Sequence, residues 1–375
     1  MEVNTAPETE MPLETGTAAE QSSAQPSVIL RASGLKRAFG KVRAVDGIDL
    51  RVREGEIYGF LGANGAGKTT AIRILMGIIK PDEGTIELLG KRSRRTTIHQ
   101  KRSIGYVSQE QTFYPWMTAQ GLGRFVSGFY PTWDTTEFNR LLRVLDVPPN
   151  RKVSQLSGGM RVKLALALAL APHPALLILD EPTSGLDPLG RREFLDIIQR
   201  QARVHHRTTF FSSHIIGEVE RVADRVGIIH RGKMRYEGDL DTLRTSVRLV
   251  RFQMPIPPIM SPSPQQTPES PAEDSSGAPT VPVVCNASGM LAAIMESQQT
   301  IPPRGLPGVT TDPLKFIVPE GFHVLRDETQ EGVRSMVLRA EPVLWKDFAI
   351  PGTVVSELSL EDIFISLVGS PATSI

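Results

Sequence analysis

The segment Gly62-Ala63-Asn64-Gly65-Ala66-Gly67-Lys68-Thr69-Thr70 fits the pattern G-x-x-x-x-G-K-[ST]. In such a loop the glycines let backbone N–H groups turn inward around phosphate oxygens. The start of a following helix adds partial positive charge. Lys68 would reach the β- and γ-phosphates of a nucleotide, and Thr69 would ligate Mg²⁺. A second candidate is Leu177-Ile178-Leu179-Asp180-Glu181, an apolar run ending in two carboxylates. At the C-terminal edge of an open parallel sheet, ligands gather. Asp180 would hold Mg²⁺, directly or through water, and Glu181 would polarise an attacking water as general base. Alone, an Asp-Glu pair reads as a solvated strand end; the upstream phosphate loop reverses that reading. The third candidate is Leu156-Ser157-Gly158-Gly159-Met160, about 20 residues before the Asp-Glu strand. Ser157 can cap a helix, and the two glycines expose N–H groups at its start, which makes a second anion-binding terminus. Standing alone it would be an ordinary helix cap.

These groups need a scaffold. A short apolar run at 57–61 precedes the glycine loop and a helix-like stretch at 71–79 follows it. The run suits a buried parallel strand. Residues 28–30, 48–52 and 85–89 read as further strands, with a turn at Pro81-Asp82-Glu83-Gly84. From about 110 to 155 the pattern is helical. Thr118 is placed to cap one helix, and Thr135 or Thr136 another that carries Phe138, Leu141, Leu142 and Leu145. Residues 164–171 alternate Leu and Ala, a strand by period alone. Both are strong helix formers, however, so a buried helix from Met160, stopped by Pro172, is expected. Strands at 176–179, 208–212 and 226–230 then alternate with helices at 191–203 and 216–223. That alternation implies βαβ units, a mostly parallel sheet and an α/β fold.

Composition narrows the class. The 375 residues are 40% hydrophobic, enough for a sizeable core, and 42 basic against 41 acidic residues leave a net charge of +1. That balance carries no footprint of a nucleic-acid binder. The single Cys285 cannot form an internal disulfide or a multi-cysteine metal site, which suits a reducing compartment. The most apolar stretch, 162–179, is interrupted by Lys163 and Pro172-His173-Pro174, so no membrane span is expected. Residues 1–26 hold five glutamates and no Lys or Arg, which reads as a disordered acidic tail rather than a signal peptide. Nine prolines fall within 254–283, as in a flexible or polyproline-like linker. Beyond it, 322–326 and 333–339 read as strands. Ser359 is placed to cap an apolar helix to about 368.

In this order the three motifs resemble those of ABC (ATP-binding cassette) nucleotide-binding subunits, over roughly residues 28–240. Leu156 to Met160 is similar to the family's Leu-Ser-Gly-Gly-Gln signature, with Met160 in place of Gln and Ser157-Gly158-Gly159 intact. Further positions match. Phe39 corresponds to the aromatic that stacks on adenine, Gln109 to the Q-loop glutamine, Asp187 to the D-loop aspartate and His214 to the switch histidine. The resemblance implies Gly62, Asn64, Gly65, Gly67, Lys68, Thr69 and Thr70 around the phosphates of ATP. It implies Thr69, Gln109 and Asp180 at Mg²⁺, and Glu181, His214, Gln109 and Lys68 in catalysis. The implied fold is a P-loop NTPase cassette: a RecA-like parallel-sheet core, an antiparallel β subdomain and an inserted α-helical subdomain at about 110–160. A small α+β accessory domain would follow at 321–375. The domain expectation is thus a tail at 1–27, a cassette at 28–245, a strand and linker at 246–320, and the accessory domain.

In this family two cassettes join head to tail, so Ser157, Gly158 and Gly159 are implied to face the partner's ATP, with Asp187 a further cofactor-binding position. The pattern around 129–134 and the helix from Ser359 resemble antibiotic/multidrug-type bacterial exporter ATPases, encoded apart from their membrane permease. The implied subunit powers export from the cytoplasmic face of a membrane, as a homodimer or heterodimer and without nucleic acid. Phe113, Tyr114, Trp116 and Met117 either line a groove for a permease coupling helix or pack the helical subdomain. The alternative is a soluble ABC ATPase working on the ribosome, nucleic acid or a protein scaffold. One motif set, and some 40 residues between Gln109 and Leu156, weigh against its two-cassette and coiled-coil forms. A non-hydrolysing ATP sensor would be expected to lack Glu181 or His214.

Overall fold

The computed structural model describes residues 27–93, 96–253, 316–330, 333–350 and 352–369. The expected tail at 1–26, the proline-rich linker and Cys285 lie outside the described residues. The chain opens with strands β1 (Val28–Phe39), β2 (Val42–Arg53) and β3 (Ile57–Leu61), helix α1 (Lys68–Leu75), and strands β4 (Glu83–Leu88) and β5 (Lys91–Ser93). Helix α2 (Ile98–Arg102) leads into β6 (Ile104–Val107), and helices α3 (Ala119–Ser127), α4 (Thr135–Val144) and α5 (Gly158–Leu170) follow. Then β7 (Leu176–Asp180), α6 (Pro188–His205), β8 (Thr208–Ser213), α7 (Ile216–Val222) and β9 (Arg225–His230) alternate. The chain closes with β10 (Lys233–Asp239), α8 (Leu240–Ser246), β11 (Val247–Gln253), β12 (His323–Gln330), β13 (Val333–Arg339), β14 (Thr353–Glu357) and α9 (Leu360–Gly369).

The central sheet has the order β10-β9-β3-β8-β7-β6. Its strands from β9 to β6 are parallel, and only β10 runs antiparallel. β3, β7 and β8 are buried along their whole length, as expected of parallel strands covered on both faces. A second, antiparallel sheet has the order β2-β1-β4-β5, and a third, also antiparallel, β12-β13-β11-β14. One apolar cluster joins one face of the central sheet to α3 through α7, and extends to α8, β11, β13 and α9. The other fills the space between the opposite face, α1 and the second sheet, with Tyr58 stacked on Phe210 at 5.4 Å.

The Leu/Ala segment is a helix, and Leu164 to Leu170 are all buried around its circumference. Propensity prevails over the two-residue period because the helix is apolar on every side. Some boundaries differ from expectation. α4 is capped by Asp134, whose carboxylate accepts from Glu137 N at 2.9 Å, rather than by Thr135 or Thr136. α6 starts at Pro188, earlier than 191, because Asp187 caps it and proline suits the first helical position. α7 lies so close to β3 that a Cβ at Gly59 would come within 2.6 Å of Val219 Cγ1. Among the described residues no helix is long and apolar enough to cross a membrane.

Candidate active site

The parallel neighbours β3, β8, β7 and β6 all end on the same edge of the sheet, and each delivers one expected group there. The glycine loop follows β3, His214 follows β8, Glu181 follows β7 and Gln109 lies just beyond β6. A cavity of about 600 Å³ opens at this edge. It is lined by Asn64, Gly65, Gly67, Lys68, Thr69, Thr70, Gln109 and Glu181, and by Val42, Arg43, Ala44, Arg231 and Gly232.

Lys68 and Glu181 in this lining, and Asp180 and His214 outside it, are tightly held. Lys68 is buried; its Nζ donates to Gly62 O (2.7 Å) and Ala63 O (3.1 Å) and pairs with Glu181 Oε1 at 2.9 Å. The other oxygen, Glu181 Oε2, lies 3.0 Å from His214 Nδ1. The Glu181 backbone is left-handed, with φ 45°, a conformation that non-glycine residues adopt only at a cost. Its N–H donates to Ser212 Oγ at 3.0 Å. Asp180 is buried, and Oδ1 accepts from Thr69 Oγ1 (3.2 Å) and Ser212 Oγ (3.0 Å). Burial raises its pKa, against the pull of those two hydroxyls.

The chemistry of this donor set fits Mg²⁺. A carboxylate and a hydroxyl already converge at Asp180 and Thr69, and the Gln109 side chain faces the same cavity. Oxygen ligands of this kind, shared with substrate phosphates, are what that cation selects.

The remaining expected residues lie elsewhere. Ser157 and Gly158 are exposed at the start of α5, with Ser157 Oγ accepting from Met160 N at 3.2 Å. A Cβ at Gly159 would sit 3.2 Å from Leu186, so this helix start and the Asp187 loop form one surface. Asp187 is exposed, its Oδ1 accepting from Gly190 N at 2.6 Å. None of these residues lines the cavity. Phe39 is also outside the lining; it is 47% exposed at the end of β1, with the Arg37 guanidinium 4.8 Å from its ring centre.

Sequence reasoning missed one wall of the cavity, made by the start of β2 and the β9–β10 turn. Gly232 N donates to Ala66 O (2.9 Å), and Asp46 N donates to Gly232 O (2.8 Å), which straps the phosphate loop between two distant segments. Gly67, at φ 109°, faces Ala44 O so closely that a Cβ would collide with it. Only the Arg231-Gly232 turn offered a local hint.

A phosphate loop at the edge of a parallel sheet, with an aspartate, a glutamate and a histidine delivered by the neighbouring strands, defines a P-loop nucleotide hydrolase. The family model described as ABC transporter matches residues 45–184. The chain is 38% identical over 231 residues to the bacitracin transport ATP-binding protein BcrA of Bacillus licheniformis, covering 61% of this chain and 76% of that protein. It is 36% identical to the linearmycin resistance ATP-binding protein LnrL of Bacillus subtilis (55% and 68% covered). It is 35% identical to the lantibiotic transport ATP-binding protein SrtF of Streptococcus pyogenes (57% and 92%). Among solved structures it is similar to an ATP-binding subunit of an ABC transporter at 27% identity and a TM-score of 0.53, covering 58% of this chain and 92% of that one. A dimeric bacterial ABC transporter cassette shares the fold at 23% identity and a TM-score of 0.52, covering 56% and 98%. The chain belongs to the ATP-binding proteins of ABC transporters and is an ABC ATPase.

Proposed function

We propose that this subunit hydrolyses ATP to power export of a substrate through a separately encoded membrane permease, from the cytoplasmic face. The observation that carries the chemistry is the chain of contacts from buried Lys68 through buried Glu181 to exposed His214, beside the glycine loop. Lys68 and the loop N–H groups bind the β- and γ-phosphates. Glu181 accepts the proton of the attacking water at its carboxylate, and His214, 3.0 Å away, fixes the orientation of that carboxylate. Thr69, Asp180 and Gln109 would hold Mg²⁺, which when bound neutralises charge on the phosphates. Phe39 stacks on adenine once the Arg37 side chain yields its face. Ser157, Gly158, Gly159 and Asp187, exposed and outside the cavity, serve the nucleotide of a second cassette. The dimeric state of a cassette with the same fold supports this arrangement.

Export rather than a soluble role is supported by the names of the transport and resistance relatives. An exposed aromatic patch adds to it. Tyr114 packs on Trp116 (5.2 Å) and Phe125 (5.6 Å), and Phe125 on Phe129 (5.5 Å). These rings are 44–65% exposed, whereas Phe113 and Met117 pack inward on the core. Such a patch, just beyond Gln109, suits an apolar helix of a permease. The test is a pull-down of tagged Glu181→Gln protein from detergent-solubilised cells with ATP and Mg²⁺. Recovery of a multi-span membrane protein is expected. Recovery of ribosomes or soluble scaffold proteins alone would overturn the transport role.

A further inference from the structure

Glu218, near the start of α7, is a buried carboxylate at 5% exposure that the chemistry above does not use. No cation pairs with it among the described residues. Its Oε2 accepts two hydroxyl protons, from Thr183 Oγ1 at 2.9 Å and from Ser213 Oγ at 2.7 Å. Its Oε1 is buried with no hydrogen-bond partner among the described residues. Both bonds run from hydroxyls to one carboxylate oxygen, the kind of contact that offsets part of the cost of burying the group.

Both donors flank reacting groups. Ser213 directly precedes His214. With its proton committed to Glu218, Ser213 Oγ accepts from Ile215 N at 2.9 Å and closes a short turn with His214 at its centre. Thr183 lies two residues after Glu181, in the turn where Ser184 N donates to Glu181 O at 3.1 Å. The left-handed backbone of Glu181 belongs to that turn. Glu218 thus ties together, from behind, the same two segments that the Glu181–His214 contact joins on the cavity side. α7 is itself fixed to β3, the strand feeding the phosphate loop, by the contact of Val219 with Gly59.

We infer that Glu218 is a positioning residue that sets the spacing between Glu181 and His214 through Thr183 and Ser213. The inference rests on the reading of Glu181 as base and His214 as its orienting partner. Removing the charge loosens both turns while the phosphate loop stays intact, so turnover falls and ATP affinity does not.

The experiment is single-turnover phosphate release by the full chain, which registers slow residual hydrolysis, for Glu218→Gln, Thr183→Val, Ser213→Ala, His214→Ala and the Glu218→Gln/His214→Ala pair. Glu218→Gln should lower the rate roughly 10-fold, the loss of about one charge-assisted bond, with KM for ATP within about 2-fold. Thr183→Val and Ser213→Ala should each reproduce part of that loss with an unchanged melting temperature. In the His214→Ala background, Glu218→Gln should cost nothing further. Losses that multiply in that background would show a merely structural role and overturn the inference. So would an unchanged rate in Glu218→Gln, or, if that variant melts early, unchanged rates in both hydroxyl variants. Wild-type hydrolysis by a Glu181→Gln control would instead overturn the assignment of the base, a separate failure.

Discussion

Glu56 offers a test of the fold's energetics far from the nucleotide. It lies in the turn between β2 and β3, buried at 9% exposure. Burial raises its pKa from the usual 4.5 to about 7. The Arg53 N–H, which Oε1 accepts at 2.7 Å, and the Arg225 guanidinium at 3.8 Å pull the other way and are outweighed. The folded chain therefore keeps this proton until about pH 7, whereas the unfolded chain releases it near 4.5. Between those values the folded state binds more protons, so the slope of stability with pH is negative. The contribution is fully present below the unfolded value and is lost as pH rises through the folded one. At ~1.36 kcal/mol per pH unit between 4.5 and about 7, the loss is a little over ~3 kcal/mol. Glu56→Gln keeps an acceptor for Arg53 N and removes the titration. Denaturant melts of both proteins at steps across this range should show the variant gaining on wild type by about 3 kcal/mol as pH rises. Parallel profiles would refute the reasoning, because they would mean that Arg225 and the N–H bond offset desolvation completely.

Other outcomes follow from the same geometry. Glu181→Gln should retain ATP in an equilibrium binding assay while phosphate release falls by about 10²–10⁴. Ser157→Ala should leave nucleotide binding by the monomer intact and abolish hydrolysis; equal loss of both would sink the head-to-tail arrangement. Gly59→Ala drives a methyl into Val219 and should cost about 1–3 kcal/mol in a denaturant melt, as overpacking does. Trp116→Ala should leave basal ATP hydrolysis unchanged and reduce permease recovery in a pull-down.

The sequence made local requirements easy to read. A phosphate loop needs glycines at left-handed positions beside a lysine, and Gly65 and Gly67 adopt φ 77° and 109°. The buried strands β3 and β7 announced themselves as apolar runs, and Ser157 and Thr118 cap the helices they were expected to cap. Asp187 was visible only as a match to the D-loop, and its cap on α6, with Pro188 in the first helical turn, emerged with the fold. What stayed hidden depends on long-range pairing. Arg43 and Arg231 reach one cavity only because β2 and the β9–β10 turn meet over Ala66. Glu218 reads as an ordinary helical glutamate until Thr183 folds over it.

The third sheet has a consequence for the order of assembly. β11 lies between β13 and β14 in it, although both partners follow much later in the chain. During synthesis, β11 leaves the ribosome well before anything can pair with it, while α8 and the central sheet are already complete. Loop closure grows only slowly more costly with length, so the long intervening segment delays this pairing more than it weakens it. A nascent chain halted before β13 therefore presents Leu249 and Phe252 on a strand with two open edges, a template for another chain. The arrival of β13 and β14 is the event that closes both edges.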